Sequence, residues 1–454
     1  MSISRTAVAI GAALSAALVL SACGSDDGGN SGQGDGGSEA TAPEAKVLAK
    51  VPMAKVSELT GAMGMWTTDK NFVKTELKKI VGYPLAGGKQ QWEVPLAGEV
   101  CWSSERPSKD GKVAVLFQND KESTPTCTEV GVVDINKGKL LWQKEAKDSY
   151  GSAQSFDEVS LGGGTVAAAG TSGAASWSVG GAPQWKQDSD TKCPDQGYAS
   201  EGEKLVAVRD CGSTDRPALE VQTVNPKNRT ATSSYKLPQG TKYAHVVSTD
   251  PLVVAVDDGK SQGGSGISSL LSIDDGAAQG KLLSTISAKG GKHGKYEAEC
   301  PSTNVSGCTQ ITVDKKTNTL FVGTSDPVSA SSDADNDIVA ISLKTGKRVG
   351  MTQGSESGRM APVGVDEGGK VIVYQESSVA SEEGGAVWSI DPATYKKTKL
   401  MQNPSSTYEM ESRFETDRRV LYAGERLYLG ADHESEPSTV YKTPQPIAAI
   451  FGTK

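Results

Sequence analysis

Asp333-Ala-Asp-Asn-Asp337 is the densest run of oxygen ligands in the chain, and its alternating carboxylates imitate the opening of a calcium loop. The rest of such a loop is absent. Ile338 stands where the sharp turn needs Gly, and Lys344 stands where a bidentate Glu should close the shell. A strand beginning at Ile338 would also send alternate side chains to opposite faces. Asp333, Asp335 and Asp337 are therefore expected to form a solvated acidic turn, with no metal site. The chain has three histidines, His245, His293 and His433, far apart in sequence. General-base and transition-metal chemistry usually lean on His, so each is read as a surface or turn residue. No Ser lies in a Gly-x-Ser-x-Gly elbow, which argues against a hydrolase. Asn228-Arg-Thr and Asn304-Val-Ser match glycosylation sequons.

Six cysteines offer covalent structure in place of catalysis. Cys101 and Cys127, Cys193 and Cys211, and Cys300 and Cys308 lie 26, 18 and 8 residues apart. None is in a CxxC arrangement, so neither zinc nor thioredoxin-type chemistry is suggested. An even number in an exported chain reads as disulfides. Several connectivities are possible, and neighbour pairing is the expectation.

The seventh cysteine, Cys23, belongs to a different device. Arg5 supplies one positive charge, residues 7–20 are an apolar run of 14, and Leu20-Ser21-Ala22 precede Cys23. That run is too short for a span of about 20 residues and describes a signal peptide over residues 1–22. Its end resembles the lipobox of bacterial lipoproteins. The resemblance implies cleavage before Cys23, a diacylglyceryl group carrying palmitate-type chains on its sulfur, and a lipid anchor on the extracytoplasmic face of the cell membrane. Residues 23–45 are rich in Gly, Ser and Asp and cannot bury enough surface to offset their ordering entropy, so they read as a disordered leash.

About 400 residues remain, enough for one large repeat domain. The net charge of −8 argues against a nucleic-acid partner. Short apolar runs such as Lys112-Val-Ala-Val-Leu-Phe117 and Leu252-Val-Val-Ala-Val-Asp257 recur between turns of Gly, Asp and Asn. One unit repeats: an apolar strand ending near Asp, a turn with Gly-Lys, then a strand carrying Trp. It appears around Trp92, Trp142 and Trp185, with degenerate copies near Leu270, Ile338 and Val387. The period of roughly 43 to 66 residues suits four strands and their turns.

This unit resembles the blade repeat of the PQQ-like β-propellers, a superfamily that includes quinoprotein dehydrogenases and the outer-membrane-assembly lipoprotein BamB. The resemblance covers residues 46–454 and implies an all-β propeller, with Trp92, Trp142 and Trp185 docking neighbouring blades. Lys50-Val-Pro-Met-Ala54 repeats Glu93-Val-Pro-Leu-Ala97, and the chain ends after three strands without a fourth. Residues 46–53 should then complete the last blade and remove an open edge. The count is eight blades, with seven as the alternative. Each cysteine pair falls inside one blade, and the shortest clips a loop over residues 290–307 that lengthens blade six.

Quinoprotein dehydrogenases of this superfamily carry adjacent cysteines, a calcium site and large insertions. This chain has none of these, so no cofactor and no enzymatic activity is expected. The leash and the disulfides resemble actinobacterial lipoproteins, where the machinery that BamB serves is absent. The expected function is a monomeric, non-catalytic binding or scaffold module at the envelope, taking a protein or polysaccharide. The alternatives are a ligand-sensing partner of a signalling system, or an enzyme at the channel mouth.

Overall fold

Lys112–Phe117 and Glu129–Asp134 pair as neighbouring central strands of one antiparallel sheet, and nearly every residue in both is buried. A strand covered on both faces reads as a continuous apolar run, whereas a strand covered on one face alternates. The same sheet's last strand, Lys139–Glu145, alternates between exposed and half-buried positions because it forms the outer rim. Eight sheets of this kind recur along the chain.

The computed structural model describes residues 42–454 except 120–125, 214, 260–265, 289–294, 328–333, 415–417 and 437–444. Cys23 and the residues up to 41, expected to form a signal peptide and leash, lie outside the described residues, as do Asp333 and His293. The protein is an eight-bladed β-propeller closed by an N-terminal strand. Innermost strands of successive blades touch in turn from Val100–Ser103 through Glu158–Gly162 and onward, returning to Met65–Thr67 of blade one. They wall the central channel.

Ring closure is a seven-residue strand, Lys46–Pro52, lying antiparallel on Pro446–Gly452 as the fourth strand of blade eight. The segment just before it completes the imitation. In blade five, Ala278 accepts from the Ser234 N–H and the Gly280 N–H donates to Ser234, tying the last turn of that blade to the rim of blade four. At the closure, Pro43 accepts from the Gln402 N–H and the Ala45 N–H donates to Gln402 in the same way. Residues 43–45, read from sequence as the end of the leash, thus stand in for a missing turn, and Ala45 is buried.

Aromatic docking joins the blades. The Trp142 indole N–H donates to the Val179 carbonyl at 2.9 Å, and that of Trp185 to the Pro226 carbonyl at 2.9 Å, each in the next blade's last turn. Trp92 packs over Gly138 of the next blade, and its indole N–H finds no acceptor. In blade six the arrangement reverses. Gly350 sits on the rim strand, where an added Cβ would lie 2.2 Å from the Tyr395 ring. Tyr395, from the turn of blade seven, fills the space that a rim Trp fills elsewhere.

Candidate functional site

Antiparallel blades divide their connections between two faces. Links from one blade to the next, and from second to third strand, lie on one face; the remaining turns lie on the other. All three disulfides gather on the first, the loop face. Cys101 bonds Cys127 in blade two, Cys193 bonds Cys211 in blade four, and Cys300 bonds Cys308 in blade six.

The third disulfide clips something larger than a local loop. The innermost edge of blade six is split into Tyr296–Glu297 and Ile311–Asp314, both paired to Thr319–Thr324. Between them, residues 300–308 cross the channel as a plug. Val305 and Ser306 donate their backbone N–H groups to Glu158 Oε2 of blade three at 2.9 and 3.3 Å. Glu158 Oε1 accepts from the Tyr198 N–H of blade four at 2.8 Å. The Val305 carbonyl accepts from the Val246 N–H of blade five at 2.7 Å. Gly307 stands beside Trp102 of blade two, and its N–H faces Glu105.

The Val305 side chain enters the apolar core shared by blades four and five, among Ala199, Val208 and Val246. Space for it exists because residue 197 is Gly. A Cβ there would lie 1.6 Å from Glu158 Oε1 and 2.7 Å from Val305. Glu158 is fully buried, and desolvation pushes its carboxyl up to about 8 even though three backbone N–H groups pull the other way.

His245 corrects the reading of the histidines as surface residues. It is fully buried in the innermost strand of blade five, with Nδ1 2.6 Å from the Asn304 carbonyl of the plug. His433 is half-buried beside the channel. Asn304, one of the sequon asparagines, is likewise engaged, donating to the Asp157 carbonyl at 3.0 Å. Trp102, off the register of the rim tryptophans and expected in a blade core, is buried, whereas Glu158 and Glu105 carry no motif that marks them in the sequence. The one available signal was a charged residue opening the strand Glu-Val-Ser-Leu-Gly, since an acid in a fully buried strand needs a partner.

The plug fills only the side of the channel toward blades two to five. On the other side a cavity of about 330 Å³ remains. One wall is the plug's back, with Pro301, Thr309 and Gln310. The facing wall is Pro362 and Val363 of blade seven with Val420 of blade eight. Glu299 and Thr309 at the rim are exposed, and Asp432 at the opposite margin is paired with Arg419 at 2.7 Å.

Other buried ionisable groups are engaged within the fold. Glu411 accepts from Tyr374, Asn403, Thr407 and the Gly385 N–H, and desolvation still raises its carboxyl above the ordinary range. Glu434 accepts the Ala54 and Leu77 N–H groups, each at 3.1 Å. Lys74 is completely buried and donates to the carbonyls of Ala62, Gly64 and Thr75; desolvation lowers its ammonium to about 8. Asp335 and Asp337 are not converging ligands either: Asp335 accepts the Gly358 N–H and the buried Asp337 accepts the Gly354 N–H. Asp337 is therefore part of the packed structure and not of a solvated turn.

No protein-family model and no curated protein matches the sequence. Solved structures similar to the chain include the computationally designed Ika8 protein, at 11% identity and a TM-score of 0.49, covering 89% of this chain and all of that one. BamB from Moraxella catarrhalis is similar at 10% identity and a TM-score of 0.45, over 90% of this chain and 97% of that one. The dihydro-heme d1 dehydrogenase NirN, solved in complex with DHE, is similar at 14% identity and a TM-score of 0.45, over 76% of this chain and 67% of that one.

Proposed function

We propose that the chain is an extracytoplasmic lipoprotein, anchored through Cys23, whose propeller binds a ligand in the half-channel beside the plug without transforming it. The observation that carries this reading is the half-channel cavity beside the plug, where Met63, Pro362, Val363 and Val420 stand among the polar Glu299, Thr309, Gln310 and Asp432. Small-ligand and peptide sites combine apolar walls with fixed polar groups that set orientation. The non-catalytic part rests on the buried carboxylates, since Glu158, Glu411 and Glu434 spend their oxygens on backbone and side-chain donors. The anchor rests on the Leu-Ser-Ala-Cys end of the signal and the polar leash behind it. The resemblance of that leash to those of actinobacterial lipoproteins keeps the reading apart from the assembly role of BamB.

A photo-crosslinking residue placed at Thr309, with Gln143 on the rim of blade two as control, tests the cavity in intact cells. Adducts at Thr309 and none at Gln143 are expected. Equal labelling from both positions, or none from either, refutes the cavity. Detergent-phase partition tests the anchor separately: Cys23→Ser should move the folded protein to the aqueous phase, and continued retention in detergent refutes the lipid.

A further inference from the structure

The seat beneath the plug is built to hold a peptide backbone. Four of the ring's contacts to residues 304–306 are made to main-chain groups of consecutive residues: His245 to the Asn304 carbonyl, Val246 to the Val305 carbonyl, and Glu158 to the N–H groups of Val305 and Ser306. The Val305 side chain enters the apolar core of the ring in a niche kept open by Gly197, while the Asn304 side chain reaches the Asp157 carbonyl. Main-chain bonds for affinity and a niche for one side chain for selection are the elements of extended-peptide recognition.

The plug itself is an insertion. It interrupts the innermost edge of blade six, and Cys300 and Cys308 close its base with Cα atoms 4.1 Å apart, so the strand pairing on either side survives without it. Residues 301–307 are therefore attached to their own blade at the ends and held in the middle by the opposite side of the ring.

We propose that the seat formed by Glu158, His245, Val246 and Gly197 is a binding site for an extended peptide with a small β-branched side chain at its centre, occupied in the resting protein by residues 304–306 as a tethered internal ligand. This site is separate from the half-channel cavity and does not depend on what that cavity takes. A tethered segment competes at an effective concentration of order millimolar, so a free peptide gains the seat when the segment is removed or its clip is opened.

The probe is the acetylated and amidated peptide Pro-Ser-Thr-Asn-Val-Ser-Gly carrying a fluorophore, added to the full chain. Three forms are compared: wild type, a form with residues 301–307 replaced by two glycines, and the same form with Glu158→Ala. The replaced form should bind the probe, and the wild type should not. Glu158→Ala should weaken binding about tenfold or more, through the loss of its two buried hydrogen bonds to the probe backbone. N-methylation of the probe at its Val and Ser amides, which removes both N–H donors, should do the same. A folded replaced form that ignores the probe, or binds the N-methylated peptide equally well, overturns the proposal. Should the replaced form not fold, Cys300→Ser/Cys308→Ser decides. Saturable probe binding that the N-methylated peptide lacks supports the seat, and no binding at millimolar probe overturns it.

Discussion

Glu158 of blade three accepts a 2.9 Å hydrogen bond from the backbone of Val305, 147 residues further along the chain and three blades away around the ring. The disulfide that holds the plug's base spans only 8 residues. One local covalent clip and one distant carboxylate thus fix the same segment from opposite sides. The carboxylate works in surroundings that disfavour its charge, so the strength of this link depends on pH.

Burial holds Glu158 protonated up to about 8, against 4.5 in an open chain. Between those values the folded protein binds one more proton than the unfolded chain, so this group's contribution to stability is full below 4.5 and falls as pH rises toward 8. Lys74, lowered from 10.5 to about 8, acts with the opposite slope above that point. Thermal melts of the wild type should therefore decline from pH 5 to 8. Glu158→Gln should flatten that decline while lowering the melting temperature throughout, since an amide cannot accept from both sides. An unchanged slope in the variant would show that Glu158 does not carry the effect.

Trp142 contributes a buried ring face and a hydrogen bond to the next blade, and it lies 6.1 Å from Trp177. Trp142→Ala should cost about 3 kcal/mol, near the low end for buried Trp because the side chain is only partly covered. Trp142→Phe should recover most of the packing and lose only the hydrogen bond, about 1 kcal/mol. Denaturant melts of both variants check the ordering.

Deleting residues through Lys50 removes most of the strand that pairs with Pro446–Gly452 and exposes that strand's edge. The truncated protein should melt at lower temperature and associate, because an unpaired edge recruits other strands. Deleting only residues 23–41 should leave the melt unchanged. Calorimetry and sedimentation of the two forms separate closure from leash; identical melts would remove the closure.

Replacing both Cys101 and Cys127 by Ala releases a 26-residue loop and should lower stability by about 3 kcal/mol in the chain-entropy account. The pH slope assigned to Glu158 should not change, because this pair lies in another blade. A change in slope would mean that blade two positions the plug more directly than its Trp102 and Glu105 contacts suggest.

The ring was legible because its information is periodic. Trp92, Trp142 and Trp185 mark three rims, and Lys50-Val-Pro-Met-Ala54 marks the closing one. The copies fade where the chemistry of docking changes hands. At Gly350 the rim gives up its side chain and Tyr395 of the next blade supplies the ring, so a search for Trp on the rim passes over an intact joint. The plug left no such trace. Its bonds to Val246, His245 and Glu158 use main-chain groups of residues 304–306, which any side chains would offer, and its partners come from blades far apart in sequence. His245 therefore read as a surface residue although it is completely buried.

The stand-in turn at residues 43–45 also determines how the fold meets mechanical load. Tension applied upstream of Pro43 reaches the Gln402 bridge first and then runs along the axis of Lys46–Pro52. A ladder pulled along its length is sheared and must give up its bonds together, whereas one pulled from the side peels bond by bond. On the proposed anchoring through Cys23, the Gln402 bridge and the closing strand behind it are the first parts of the fold to bear a pull from the membrane.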